Sequence, residues 1–140
     1  MKEQWKDLIE YPTKEKKYFF ENGLYEISNF GKIRNKKTKQ EFVMTEDHLL
    51  KNKNFHKRTR LTAIDKTRPH VILARAVAFS FIKTKLDIIE NGLEVDHIDG
   101  DPGNDIITNL QWVMPEENKR FNKKNCEHKT VVEQEIIKET

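Results

Sequence analysis

The sequence predicts an α+β fold, in which a small N-terminal antiparallel sheet precedes a strand, loop, strand and helix in immediate succession. "GLYEISNFGKIRN" alternates apolar and polar residues on either side of an Asn29-Phe30-Gly31 turn, the pattern of a short hairpin. "LARAVAFSFI" places Leu73, Val77 and Phe81 at helical spacing with alanines between them, the pattern of a packed helix. "LEVDH" and "NLQWV" are strand-like and enclose the turn-rich stretch "IDGDPGNDIIT".

Taken in order, the hairpin from Leu24 to Ile33 opens the sheet, and "EFVMT" and "TRLTAID" are expected as further strands. "KTRP" turns the latter into "HVIL", which leads to the helix over Leu73–Ile82. "KTKLDIIENG" is a connector that ends in an Asn-Gly turn signal. The strands "LEVDH" and "NLQWV" follow, with Trp112 and Val113 expected in the core, and then "PEENKRFNKKN" forms a helix with Pro115 at its first position. "VVEQEIIKET" reads as a weakly amphipathic tail.

At 140 residues the chain fits one compact unit with polar extensions. With 36% hydrophobic and 35% charged residues the core is thin, yet the apolar residues cluster in runs, which argues against wholesale disorder. Cys126 stands alone, so there is no internal disulfide and no cysteine-built zinc site, as suits a reducing cytoplasm. The first residues, "MKEQWKDLIEYP", lack an apolar signal core, and no segment approaches the roughly 18 apolar residues of a membrane span. A soluble, cytoplasmic protein without a membrane partner is expected.

The net charge of +3 conceals strong segregation. "KIRNKKTK" holds Lys32, Arg34, Lys36, Lys37 and Lys39; "KNKNFHKRTR" includes Lys51, Lys53, Lys57, Arg58 and Arg60; "NKRFNKKN" adds Lys119, Arg120, Lys123 and Lys124. A single run of this kind is ordinarily a solvated loop. Three acid-free runs favour a polyanionic partner, because cations that neutralise phosphates release condensed counterions.

Between Glu94 and Asp105 the charge inverts: Glu94, Asp96, Asp99, Asp101 and Asp105 surround His97 without a lysine or arginine. A calcium loop starting at Asp99 fails, because Asn104 and Leu110 stand where glycine and glutamate are required. There is neither a serine nucleophile elbow nor a glycine-rich phosphate loop ahead of a helix. A histidine beside an aspartate, with amide side chains converging from the next strand and helix, suits metal-assisted hydrolysis. His48, His56, His70 and His128 have no partners at ligand spacing and read as background.

"VDHIDGDPGNDIITNLQWVMPEENKRF" resembles the HNH endonuclease motif in the form found in phage and intron-encoded homing endonucleases, a ββα-metal (HNH) finger. "ILARAVAFSFI" resembles the helix that leads into that motif. "EQWKDLIEYP" followed by "GLYEISNFGKIRN" resembles the modular DNA-binding segment fused to such nucleases. Together these stretches take in nearly everything up to about Phe121. The chain departs from the family pattern at Met114, where Thr or Ser is usual before the helix proline, and at Ala74, where a histidine is common. Methionine cannot cap, and a lost cap costs about 1 kcal/mol.

The resemblance implies that His97 is the general base activating water, that Asp96 and Asn118 hold one Mg²⁺ or Mn²⁺ per chain, and that Asn109 steadies the loop and the histidine. It implies a DNA-binding segment over 1–68, an HNH module over 69–125 and a tail over 126–140. The cations expected on double-stranded DNA are Lys32, Arg34, Lys36, Lys37, Lys39, Lys57, Arg58, Arg60, Lys119 and Arg120. Consecutive strand residues point to opposite faces, so Asp96 and His97 can serve one site only where the strand ends and twists. With one motif per chain and no heptad seam, a monomer that nicks duplex DNA is expected. A catalytically idle DNA-binding protein that keeps the finger as architecture, and an RNA-directed hydrolase, are the alternatives; no RNA-recognition aromatic motif supports the second.

Overall fold

The structure is a computed structural model and describes residues 1–45, 56–115 and 130–137. Strands β1 (Trp5–Asp7), β4 (Tyr25–Ser28) and β5 (Lys32–Asn35) form a three-stranded sheet in the order β1-β4-β5. Among the described residues four two-stranded sheets join β2 (Glu10–Pro12) to β3 (Lys17–Phe19), β6 (Arg58–Arg60) to β7 (His70–Ile72), β8 (Ile82–Thr84) to β11 (Gln134–Ile136), and β9 (Glu94–His97) to β10 (Leu110–Val113). Every pairing is antiparallel. The α+β class expected from the sequence is therefore observed.

Helix α1 (Leu73–Phe81) lies at the centre and touches β2, β4, β7, β8, β9 and β10. Leu73, Ala74, Arg75, Ala76, Val77, Ala78 and Phe81 are all buried, so the helix is enclosed on nearly every side. The alanines make this possible: with almost no side chain they let strand backbones approach from several directions. No side chain caps its first turn, and the chain passes from β7 into the helix and from the helix into β8 without a loop.

One hydrophobic cluster runs from Leu8, Tyr11 and Ile27 through Val71 and Val77 to Trp112 and Val132. Trp112 is fully buried, as expected, and donates its indole N–H to the Ile82 carbonyl at 3.3 Å. Arg75, also buried, spends its guanidinium donors on the carbonyls of Pro12 (2.5 Å), Leu93 (2.8 Å) and Thr13 (3.3 Å) and lies over the Trp112 ring. Burial disfavours its charge and lowers its pKa, but an arginine stays protonated in proteins. The three carbonyls stand in for the water it gave up.

The structure differs from the sequence reading in three places. "EFVMT" makes isolated bridges, Glu41 with Arg34 and Thr45 with Arg58, rather than a strand. "TRLTAID" is a strand only over its first two residues, Thr59 and Arg60; Lys66 N–H then turns back to the Ala63 carbonyl, and Thr67 caps the Asp65 carboxylate. The supposed tail contributes β11, which pairs with β8, and a bridge from Val131 to Val113. Gln134 explains the docking: its side chain accepts the Trp112 backbone N–H at 2.7 Å and donates to the Trp112 carbonyl at 3.0 Å, imitating a strand partner.

Pro115 is helical, and the residues expected to continue a helix from it lie outside the described residues. Met114, which offers no capping oxygen, donates its backbone N–H to the Thr130 carbonyl at 3.1 Å. Among the described residues no helix is long and apolar enough to cross a membrane.

Candidate active site

The β9–β10 pair sets the positions of Asp96 and His97. Asp96 lies opposite Gln111 and His97 opposite Leu110. As neighbours on a strand they diverge: Gln111 Nε2 donates to Asp96 Oδ2 at 2.9 Å, while the His97 ring, on the last residue of β9, reaches Asp105. Both side chains are buried.

The loop between the strands is latched by Asn109, which closes the 3-10 turn Ile107–Asn109. Its Nδ2 donates to Asp99 Oδ1 and to the Asn104 carbonyl, both at 2.9 Å, and its Oδ1 accepts the Asp99 N–H at 3.0 Å. Its backbone carbonyl accepts the Ile98 N–H, directly after His97. Asn109 thus holds the loop through side-chain and backbone bonds, and the hydrogen bond to the imidazole itself is made by Asp105. Donation by Asn104, the Asp101 N–H and Asn109 holds the Asp99 carboxyl below the usual aspartate range. Asn109→Ala removes three side-chain bonds from a buried position and is expected to cost about 1–3 kcal/mol. A denaturant midpoint equal to that of the wild type would show that the latch carries no stability.

His97 Nε2 and Asp105 Oδ1 are 2.7 Å apart, and both residues are buried. A carboxylate offers only lone pairs, so the proton of this hydrogen bond belongs to Nε2, and in the neutral form of the ring the lone pair is then on Nδ1. Among the described residues Asp105 Oδ2 is buried without a hydrogen-bond partner. Sequence reasoning placed Asp105 among several loop acids and did not single it out.

The His56 ring stacks on His97 with centroids 5.9 Å apart and planes 23° from parallel. Burial first, and then the neighbouring His97, lower its pKa and favour a neutral ring. Its Nδ1 is buried and has no hydrogen-bond partner among the described residues. The reading of His56 as background is therefore corrected: it lies against the candidate base. Its neighbour Lys57 extends toward the same loop, its Cε 3.8 Å from where a Cβ on Gly103 would stand.

The basic run of β5 and its turn is already engaged. Arg34 pairs with Glu26 at 2.9 Å and covers the Trp5 ring, while Lys39 reaches the same Glu26 at 3.3 Å. Lys36 pairs with Asp7 at 2.6 Å and Lys32 with Glu3 at 3.9 Å. Lys37 has no acidic partner among the described residues. On β6, Arg58 faces Ile72 across the strand pair, and Arg60 bonds to the His70 ring. The cations expected on DNA at Lys119 and Arg120, and the expected metal ligand Asn118, lie outside the described residues.

Among the described residues no three histidine, cysteine or acidic side chains converge as a metal cluster. Asp96 alone of the two expected ligands can be placed, and its buried carboxylate, aligned by Gln111, is the kind of hard oxygen donor that Mg²⁺ accepts.

Residues 88–120 match the HNH endonuclease family, and residues 3–72 match the NUMOD4 motif. No curated protein matches the chain. A solved structure of DNA binding and cleavage by the HNH homing endonuclease I-HmuI is similar, with 26% identity and a TM-score of 0.59. The similarity covers 86% of this chain and 57% of that one, so the chain spans less than two thirds of that protein. The HNH endonuclease match contains the whole His97 loop, and the NUMOD4 match takes in half of the chain, so this protein belongs to the family that carries a NUMOD4 motif.

Proposed function

We propose that the protein is a divalent-metal-dependent DNA endonuclease that hydrolyses phosphodiester bonds and nicks duplex DNA in the manner of a homing-type HNH nuclease. The observation that carries this reading is the buried hydrogen bond from His97 Nε2 to Asp105 Oδ1 within the HNH segment. With its proton fixed on Nε2, the imidazole presents Nδ1 to a water molecule and takes a proton from it as the oxygen attacks phosphorus. The Asp105 carboxylate then faces an imidazolium, whose charge it offsets. Asn109 keeps the loop that bears Asp105 closed against β9.

In this reading Asp96 and Asn118 hold one Mg²⁺ or Mn²⁺, which when bound supplies positive charge for the scissile phosphate and the leaving oxygen. Residues 1–68 grip double-stranded DNA and residues 69–125 cut it. The basic side chains Lys32, Arg34, Lys36, Lys37, Lys39, Lys57, Arg58, Arg60, Lys119 and Arg120 contact phosphates. The chain acts as a monomer in the cytoplasm, and a single HNH segment gives one cut per encounter.

The test is supercoiled plasmid incubated with the protein, with Mg²⁺, with Mn²⁺ and with a chelator. Open circles should appear first and only with metal, and linear DNA should come late, from accumulated nicks. No product with either metal would refute nuclease function. Linear DNA at the earliest times, with a rate rising more steeply than protein concentration, would replace the nicking monomer with a working dimer.

A further inference from the structure

The turn of the β4–β5 hairpin packs against the loop that carries Asp105, although the two are far apart in sequence. Gly31 has φ +85, and a Cβ placed there would lie 2.9 Å from the Asp105 carbonyl oxygen and 3.2 Å from both its carbonyl carbon and its Cβ. The obstacle is mostly backbone, so it cannot swing aside as the end of a flexible side chain would. Two residues earlier in the same turn, the Asn29 carbonyl accepts the Ile107 N–H at 2.9 Å. The turn therefore grips the loop on both sides of Ile106.

The turn is itself anchored. The buried Asn29 side chain accepts the Gln4 N–H at 2.8 Å and donates to the Lys2 carbonyl at 3.0 Å. Ser28 Oγ accepts the Phe30 N–H at 3.1 Å and donates to Glu3 at 2.9 Å. A continuous path of contacts thus leads from the first residues of the chain, through Asn29 and Gly31, to the carboxylate bonded to His97.

We propose that the Asn29-Phe30-Gly31 turn of the NUMOD4 segment positions the nuclease site, with Gly31 setting where Asp105, and through it the His97 ring, comes to rest. The N-terminal segment then contributes to the chemical step as well as to DNA binding. Its part in catalysis rests on the nuclease reading above, whereas its effect on the His97–Asp105 hydrogen bond does not. Gly31 and Asn29 are positioning residues, because neither touches the reacting atoms.

A built-in control separates positioning from backbone strain. Gly23 has the same φ of +85, but a Cβ there would meet nothing within 4 Å. Gly23→Ala and Gly31→Ala therefore impose the same left-handed strain on an L-residue, and only Gly31→Ala also pushes on Asp105. The experiment uses the full chain of each variant and two readouts. The first is the imidazole N–H resonance of His97 in ¹H–¹⁵N spectra of the free protein, which needs no DNA and no cleavage. The second is the single-turnover cleavage rate at saturating duplex beside the Kd for the same duplex.

Gly31→Ala should shift the His97 resonance and slow single-turnover cleavage about 10- to 100-fold, with Kd changed by less than about twofold. Gly23→Ala should leave both the resonance and the rate as in the wild type. If Gly31→Ala fails to fold, Asn29→Ala provides the same comparison, because it frees the turn from Lys2 and Gln4 without adding an atom beside Asp105. A His97 resonance unchanged in a folded Gly31→Ala or Asn29→Ala variant would overturn the proposal, as would an equal shift in Gly23→Ala. If the wild type cleaves no DNA, the nuclease reading fails, and the resonance alone still decides whether the turn sets the pair.

Discussion

On the proposed function, His97→Ala is expected to lose about 10²–10⁴ in cleavage rate and to bind duplex DNA as the wild type does. Among the described residues the imidazole is hydrogen-bonded to Asp105 and stacked on the His56 ring. In that reading alanine removes the acceptor for the water proton and leaves the basic side chains expected on the phosphates in place. Single-turnover rates at saturating DNA, beside gel-shift affinities, separate the two properties. Cleavage at the wild-type rate would refute His97 as the base.

Asp105→Asn is expected to lower the rate nearly as much, on the order of 10²–10⁴, with DNA affinity unchanged. A carboxylate at 2.7 Å from Nε2 accepts the proton there and keeps the Nδ1 lone pair available. An amide can turn its NH₂ toward Nε2 instead, which drives the proton to Nδ1 and masks the base. It also carries no negative charge to face the imidazolium formed in the reaction. The variant should melt cooperatively near the wild-type temperature, since the side chain keeps its shape. A full rate in Asp105→Asn would mean that another group orients the ring.

Much of the fold was legible because its signals are local. The β4–β5 hairpin follows from Asn29-Phe30-Gly31, whose glycine takes the left-handed conformation, and α1 follows from Leu73, Val77 and Phe81 recurring at helical spacing. The β9–β10 pair follows from apolar strands flanking a turn-rich loop. Asp96 and His97 stand out in the sequence by their place in an ordered motif rather than by spacing alone.

The remainder depended on contacts between distant parts of the chain. His56 sits in a basic run, and no sequence pattern says that its ring will lie on His97. Asp105 is one acid among five between Glu94 and Asp105, and only the fold of the loop turns it, rather than Asp99 or Asp101, toward Nε2. β11 has no strand signature in "QEI"; the Gln134 side chain docks it by gripping the Trp112 backbone. The partners of the β5 run, Glu3, Asp7 and Glu26, precede it in sequence, so the run looks uncompensated until the sheet brings them together.

Those partners change what the basic sheet offers a nucleic acid. A solvated lysine that meets a phosphate displaces a condensed cation from the DNA, and on B-DNA each such contact adds about 0.9 to the salt dependence of log affinity. Arg34, Lys36 and Lys39 instead carry internal counterions in Glu26 and Asp7. When one of them turns to a phosphate it strands a carboxylate, and that carboxylate draws a cation back from solution. On DNA, under the proposed reading, each exchange therefore releases less than a full ion. The β5 face would grip the backbone with an affinity less sensitive to ionic strength than its number of basic residues implies, with Glu26 and Asp7 as the groups that set the difference.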